Sequence, residues 1–297
     1  STPKPSSAAS DVYKRQLINY ISALGFGGDN AELFEKYWPA DVHVIGKDIT
    51  RFHCIIWPAM LMAGGVEVPR SIFAHGFISL GGEKMSKTRG NILDPVRMAE
   101  VFGADGLRYL LMREVPFDKD GDISIETLVA RYNSDLANEL GNLFSRTVAM
   151  ISKYLGGNVE EAEVPKDSEI RQTLEKAVDV YIEHMDRMEF SRAITGYWQV
   201  IQRANRFIEE RRPWDLAKDE GKREELESFF RELLMVLRTS SVVLFPFMPE
   251  KMGEMMAQLA LDHVSMDGVP FVYSGCRELA PPKPLFPRIK ELPEDLS

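Results

Sequence analysis

The chain has 297 residues, 44% hydrophobic and 27% charged, with 36 Lys and Arg against 45 Asp and Glu for a formal net charge of −9. Such a composition supports one large or two ordinary globular domains and excludes a fibrous or wholly disordered chain. No run approaches the roughly 18 apolar residues that span a bilayer, residues 1–30 lack a signal-peptide pattern, and Cys54 and Cys276 stand alone. A cytoplasmic protein without membrane contact, disulfide framework or zinc knuckle is expected.

In chain order, Ser1 to Gln16 is rich in Ser, Pro and Ala, turns basic at Tyr13-Lys14-Arg15-Gln16, and shows no apolar periodicity. It reads as a disordered or foreign leader. From Leu17 the pattern is orderly: helices are expected over Leu17–Leu24 and Asn30–Tyr37, a strand over Val42–Ile45, a helix over Asp48–Met62 and a strand over Ser71–Leu80. Strand, helix and strand with short joints make a βαβ unit of a parallel sheet. Gly81-Gly82, a basic loop and two helices, Pro95–Phe102 and Asp105–Glu114, follow.

The second half is expected to be a helical bundle. Apolar residues recur from Ile125 through Leu128, Tyr132, Leu136, Leu140, Leu143, Phe144 and Val148 to Ile151, one stripe of a long helix closed by Gly156-Gly157. Further helical patterns run over Ser168–Met188, Ser191–Glu210, Lys222–Phe245 and Pro249–Leu261, each bounded by Pro, Gly or a capping residue. Met248, Met252, Met255 and Met256 are spaced as an inner helix face, and Glu160-Glu161-Ala162-Glu163 reads as a solvated linker. The predicted organisation is a leader (1–16), an α/β portion (17–122), an all-α portion (123–280) and an extended tail (281–297) anchored by Leu285-Phe286.

Residues 1–122 hold 14 basic and 15 acidic side chains, and the remainder 22 against 30. A polyanion could therefore bind only through local patches, not through the overall field. The densest such patch is Gly81-Gly82-Glu83-Lys84-Met85-Ser86-Lys87-Thr88-Arg89-Gly90-Asn91. Its glycines let backbone approach a ligand, and its lysines offer mobile charges suited to a polyphosphate. On the long helix, a 100° step per residue puts Asn138, Asn142 and Arg146 on one face, away from the leucine stripe. Amides and a guanidinium in a row can hydrogen-bond and stack on unpaired bases, though such a face can also be merely solvated.

Lys84-Met85-Ser86-Lys87-Thr88 resembles the KMSKS signature of class I aminoacyl-tRNA synthetases, with Thr in the last position. Together with Gly46-Lys47-Asp48-Ile49, Phe52-His53 and Phe73-Ala74-His75-Gly76-Phe77 it looks like the methionyl-tRNA synthetase family, over about Leu17 to Arg288. The resemblance implies a partial Rossmann-like nucleotide-binding domain followed by an α-helical anticodon-binding bundle. It also implies a methionine–tRNA ligase using ATP with Mg2+, methionine and methionine tRNA. Lys84 and Lys87 would be catalytic, holding the triphosphate with Met85 and Ser86, while Gly46 and Asp48 would border the adenosine; Asp48 has the alternative of capping the following helix. Tyr20, Ile49 and His53 would line the methionine site, with Trp57 packed nearby. Asn142, Arg146, Pro213 and Trp214 would read the anticodon, Trp214 either stacking on a base or packing under the bundle.

Two departures stand out. Ahead of Leu17 the family has a Trp and a small residue where this chain reads Val12-Tyr13-Lys14-Arg15-Gln16, and the histidine signature and inserted domain of the family's first half have no counterpart. An incomplete C-terminal portion, inactive by itself and without a metal site, is therefore expected. A non-catalytic tRNA-binding fragment, a synthetase for another aliphatic amino acid and an interaction module remain as alternatives.

Overall fold

The computed structural model describes residues 7–84, 93–261 and 265–293. The chain divides into two compact units, residues 1–77 with 118–120, and 78–117 with 121–297. This division falls ahead of the boundary near residue 122 expected from the sequence. The reason is β-pairing and packing: residues 78–117 supply a strand that pairs beyond residue 120 and helices that join the main core.

In the first unit, α1 (Ser7–Ser22) and α2 (Glu32–Tyr37) precede β1 (His43–Gly46), and β2 (Ile72–His75) returns parallel to it. The register pairs His43 with Ile72 and Gly46 with His75, so the expected βαβ unit is present. The crossover is less uniform than its periodicity predicts. It opens as a 3-10 turn at Lys47–Ile49, widens to π geometry at Phe52–Ile56 and becomes α-helical only in α3 (Trp57–Ala63). Leu17, Ile21, Trp57 and Leu61 form its core. Helix α1 starts at Ser7, so of the two expectations for the leader, disorder is not met over residues 7–16, which are helical.

The second unit begins with β3 (Ile78–Leu80), which is separate from β2 because the predicted strand breaks at Gly76-Phe77. β3 lies between an antiparallel β4 (Glu83–Lys84) and a parallel β5 (Gly121–Ile123). Between them run α4 (Pro95–Phe102), capped by the Asp94 side chain, and α5 (Ala104–Glu114). The long helix is one continuous helical run of three parts: α6 (Ile125–Arg131), a π-widened stretch Tyr132–Gly141, and α7 (Asn142–Leu155), which ends at Gly156 in the left-handed conformation. Ser124 and Thr127 cap its start reciprocally.

The bundle continues through α8 (Glu169–Asp186), α9 (Phe190–Arg211), the single turn α10 (Pro213–Leu216), α11 (Arg223–Val243) and α12 (Pro249–Gln258). Helix α11 is buried along nearly its whole length and forms the centre of the unit. The methionines at 248, 252, 255 and 256 are buried core, as their spacing predicts. Glu160–Glu163 is solvated, with its three glutamates exposed, but it is a strand rather than an irregular linker. Residues Val159–Glu163 form β6, paired antiparallel with β7 (Tyr273–Cys276). Leu285 and Phe286 are buried and fasten the tail, with Phe286 packed edge-on to Tyr132.

Candidate functional site

Parallel strands present their carboxyl ends as the usual ligand crevice of an open α/β sheet. Here those ends carry Gly46-Lys47-Asp48 and His75-Gly76-Phe77, brought side by side by the Gly46–His75 pairing. Asp48 is exposed and its Oδ1 lies 2.8 Å from where a Cβ on Gly46 would stand, so a side chain at position 46 would displace the carboxylate. Gly46 itself is the residue before the turn and no side chain caps it, so the alternative helix-capping role of Asp48 is not realised.

The segment Asp118–Asp120 locks these loops in a way the sequence reading missed. Asp120 accepts from Lys47 Nζ at 2.6 Å and from the Phe77 amide at 2.8 Å, and the Lys47 ammonium lies 5.0 Å from the Phe77 ring centre. The hydrogen bond from Lys47, then that from the Phe77 amide, hold the Asp120 carboxyl below its ordinary value. A Cβ on Gly76 would stand 2.0 Å from the Lys119 carbonyl oxygen, so only glycine fits there. Three carboxylates in Asp118-Lys119-Asp120-Gly121-Asp122 were the available signal for this contact.

Tyr20, Ile49 and His53, three residues from two helical segments, line one cavity of about 230 Å³ with Gln16, Leu17 and Phe52. The Ile49 carbonyl can only accept, so His53 Nδ1, 3.1 Å away, carries the proton. His53 Nε2 then accepts from Tyr20 Oη at 2.9 Å. Both ring nitrogens are thereby occupied, and the cavity offers an aromatic and aliphatic wall with a phenol oxygen at one edge. Behind it, His43 packs 4.4 Å from the Tyr20 ring, and burial, then the neighbouring His53, push its pKa down. Trp57 is buried beside Tyr20 and belongs to the core. Gln16, Leu17 and Phe52 were not assigned to this cavity: the first fell inside the expected leader, Leu17 read as an ordinary helix face, and Phe52 entered only as part of the family pattern beside His53.

The second unit carries the stem of the basic loop. Gly81 and Gly82 both have positive φ, the region that favours glycine, and turn β3 back into β4. Asp122 clamps this turn by accepting from the Gly82 amide and from Ser79 Oγ, each at 2.7 Å, and these bonds, in that order, depress its pKa. Lys84 is the last residue of β4. Met85, Ser86 and Lys87 lie outside the described residues.

In the bundle, Asn138, Asn142 and Arg146 do share a groove, of about 510 Å³. Its opposite wall, not foreseen from the sequence, is Gln202, Asn205, Arg206 and Glu209 of α9, and Glu139 completes it. Asn205 Nδ2 donates to the Glu139 carbonyl at 3.2 Å, beside the Asn142 amide that already donates to it. Arg146 Nη2 pairs with Glu209 at 2.7 Å, and Arg288 of the tail reaches Asn138 Oδ1 at 3.4 Å.

Arg212, at φ 47° and ψ 62°, ends α9, and Pro213 starts α10. Pro213 is buried and turns the chain between the two helices, placing Trp214 next after it. Trp214 is half-buried against the core, with the Arg212 guanidinium 5.9 Å from its ring centre, and it is not among the residues lining the groove. Among the described residues no cluster of His, Cys, Asp and Glu could hold a metal ion, and no helix is long and apolar enough to cross a membrane.

Comparison with known proteins accounts for both units. Residues 10–148 match the family described as tRNA synthetases class I (M), and residues 157–290 match the anticodon binding domain of methionyl tRNA ligase. The chain is 48% identical over 255 residues to the methionine–tRNA ligase of Caldanaerobacter subterraneus subsp. tengcongensis, covering 84% of this chain and 40% of that protein. The Bacillus subtilis methionine–tRNA ligase is 45% identical over 286 residues, covering 94% of this chain and 43% of the relative. The structure of Mycobacterium tuberculosis methionyl-tRNA synthetase in complex with methionyl-adenylate superposes with a TM-score of 0.85 at 40% identity, over 93% of this chain and 56% of that one. The chain thus spans about two fifths of the length of these curated relatives. A class I synthetase fragment followed by a helical anticodon-binding domain, it belongs to the methionyl-tRNA synthetase family.

Proposed function

We propose that this chain is the part of a methionine–tRNA ligase that supplies the KMSKS loop, one side of the amino-acid site and the reader of the tRNA anticodon. The observation that carries the reading is the groove in which two amides and a guanidinium from the long helix meet a polar wall of α9. In the complete ligase, the methionine carboxylate attacks the α-phosphate of ATP, bound as its magnesium complex, and pyrophosphate leaves. A ribose hydroxyl of the tRNA then attacks the adenylate carbonyl and AMP leaves. The reading assigns the cavity of Tyr20, Ile49 and His53 to the methionine side chain, whose polarizable thioether suits aromatic and aliphatic walls. It assigns Gly46 and Asp48 to the adenosine, Asp48 accepting from ribose hydroxyls. Lys84 and Lys87, supported by Met85 and Ser86, stabilise the negative charge that develops on the departing pyrophosphate. Asn142 and Arg146 hydrogen-bond anticodon bases, and Trp214 stacks on one. The setting is cytoplasmic.

These 297 residues hold only one side of the proposed ATP site. The purified chain is therefore expected to bind methionine tRNA in a filter-binding assay and to show no methionine-dependent ATP–pyrophosphate exchange. Exchange above background would overturn the division of labour, and failure to retain the tRNA would overturn the reading of the groove.

A further inference from the structure

The phenol oxygen of Tyr20 forms the polar edge of the cavity shared with Ile49 and His53. Tyr20 is 38% exposed, and its Oη must point at His53 for their 2.9 Å hydrogen bond to form. Holding a half-free side chain in one direction costs rotamer entropy, which packing against its ring has to offset. Among the described residues three rings contact it: His43 at 4.4 Å between centres, His53 at 5.7 Å and Trp57 at 6.1 Å. His43 is the nearest of them, yet it does not line the cavity. It opens β1, it is buried, and its amide donates to the Ser71 carbonyl at 2.9 Å, so the paired strand fixes where its ring stands. Its Nδ1 is buried with no hydrogen-bond partner among the described residues. That nitrogen is not what places an imidazole here. What His43 gives Tyr20 is a rigid ring, tilted 59° to the phenol.

We propose that His43 is a positioning residue of the amino-acid site, holding the Tyr20 phenol in the direction that bonds His53 and so fixing the polar edge that the bound side chain meets. The inference rests on the reading of this cavity as the methionine site. Aromatic pairs favour particular tilts and offsets, which an aliphatic side chain of similar volume does not impose. The role is therefore separable from space filling.

The test follows the His53 ring nitrogens by NMR in the 297-residue chain carrying isotope-labelled histidine, at a pH where free imidazole is neutral. Tyr20→Phe keeps the ring and removes the hydroxyl, so it marks the Nε2 signal with the bond absent. His43→Leu and His43→Ile fill the space without a ring and should move the Nε2 signal toward that marker, whereas His43→Phe should leave it near its original place. The amide spectrum identifies the variants that fold, and two aliphatic variants guard against the loss of one. Methionine affinity, measured on the same samples, should fall about two- to tenfold where the bond is lost, the worth of one hydrogen bond, and be kept in His43→Phe. A native Nε2 signal in a folded aliphatic variant would overturn the proposal, as would a displaced signal in folded His43→Phe or unchanged methionine affinity where the bond is lost. Methionine that moves neither the Tyr20 nor the His53 signal of the unsubstituted chain would overturn the reading of the cavity instead, a separate result.

Discussion

Replacing Asp135 by alanine is expected to destabilise the helical unit by about 3–5 kcal/mol, the cost of breaking a buried charge network from one side. Asp135 is 2% exposed and sits in the π-widened stretch. It accepts from Tyr109 Oη at 2.8 Å and Ser134 Oγ at 3.0 Å, and faces the Arg113 and Arg131 guanidinium groups at 3.5 Å each. Removing the carboxylate leaves a buried tyrosine hydroxyl without its acceptor and Arg113 without this counter-charge, while Arg131 keeps its ion pair with Glu114. Burial, then the charge of Asp135, hold the Tyr109 hydroxyl well above its ordinary value, so it remains a neutral donor. For a unit of this size the melting point should fall on the order of 10 °C. Asp135→Asn, which retains an acceptor, should lose less. Thermal and urea unfolding of both variants checks the ranking, and a loss below about 1 kcal/mol for the alanine variant would show that the network contributes little net stability.

Trp214→Ala is expected to weaken methionine tRNA binding by about tenfold, within the roughly 1–3 kcal/mol that stacking of one base is worth. The half-buried ring packs its inner side on the core, so some stability is lost as well. That loss should stay below the ~3–5 kcal/mol of truncating a fully buried aromatic. Melting and tRNA binding measured on one preparation separate the two roles. A full core-sized drop in stability with unchanged affinity of the folded protein would assign Trp214 to packing alone.

Local signals made most of the bundle legible. Helices α8, α9, α11 and α12 follow their apolar periodicity, and helix ends follow identifiable stop and start residues: Ser168 caps α8 by accepting from the Arg171 amide, Gly156 closes α7, and Pro249 opens α12. The parallel pairing of β1 and β2 was also readable, because a strand, a helix and a strand with short joints leave few topologies. What escaped was non-local. Val159–Glu163 looks like a charged linker until Tyr273–Cys276 pairs with it. The break at Gly76 reflects the approach of Lys119, and the π-widened turns at Phe52–Ile56 and Tyr132–Gly141 leave no simple periodic mark.

The candidate sites divide the same way. Tyr20, Ile49 and His53 were expected together and do line one cavity, while Asn138, Asn142 and Arg146 do share one groove. The clamps and opposing walls were not legible, because Asp120, Asp122 and the polar face of α9 acquire meaning only from partners dozens of residues away. The polar spacing of Gln202, Asn205, Arg206 and Glu209 could be read, but not the helix it faces.

Equilibrium binding of methionine tRNA should be compared with that of the same tRNA carrying a substituted anticodon, at one fixed salt concentration. At least about tenfold preference for the native anticodon is expected if the chain reads bases, since each lost base contact of this kind is worth roughly 1–3 kcal/mol. Equal affinity for the two RNAs would contradict it.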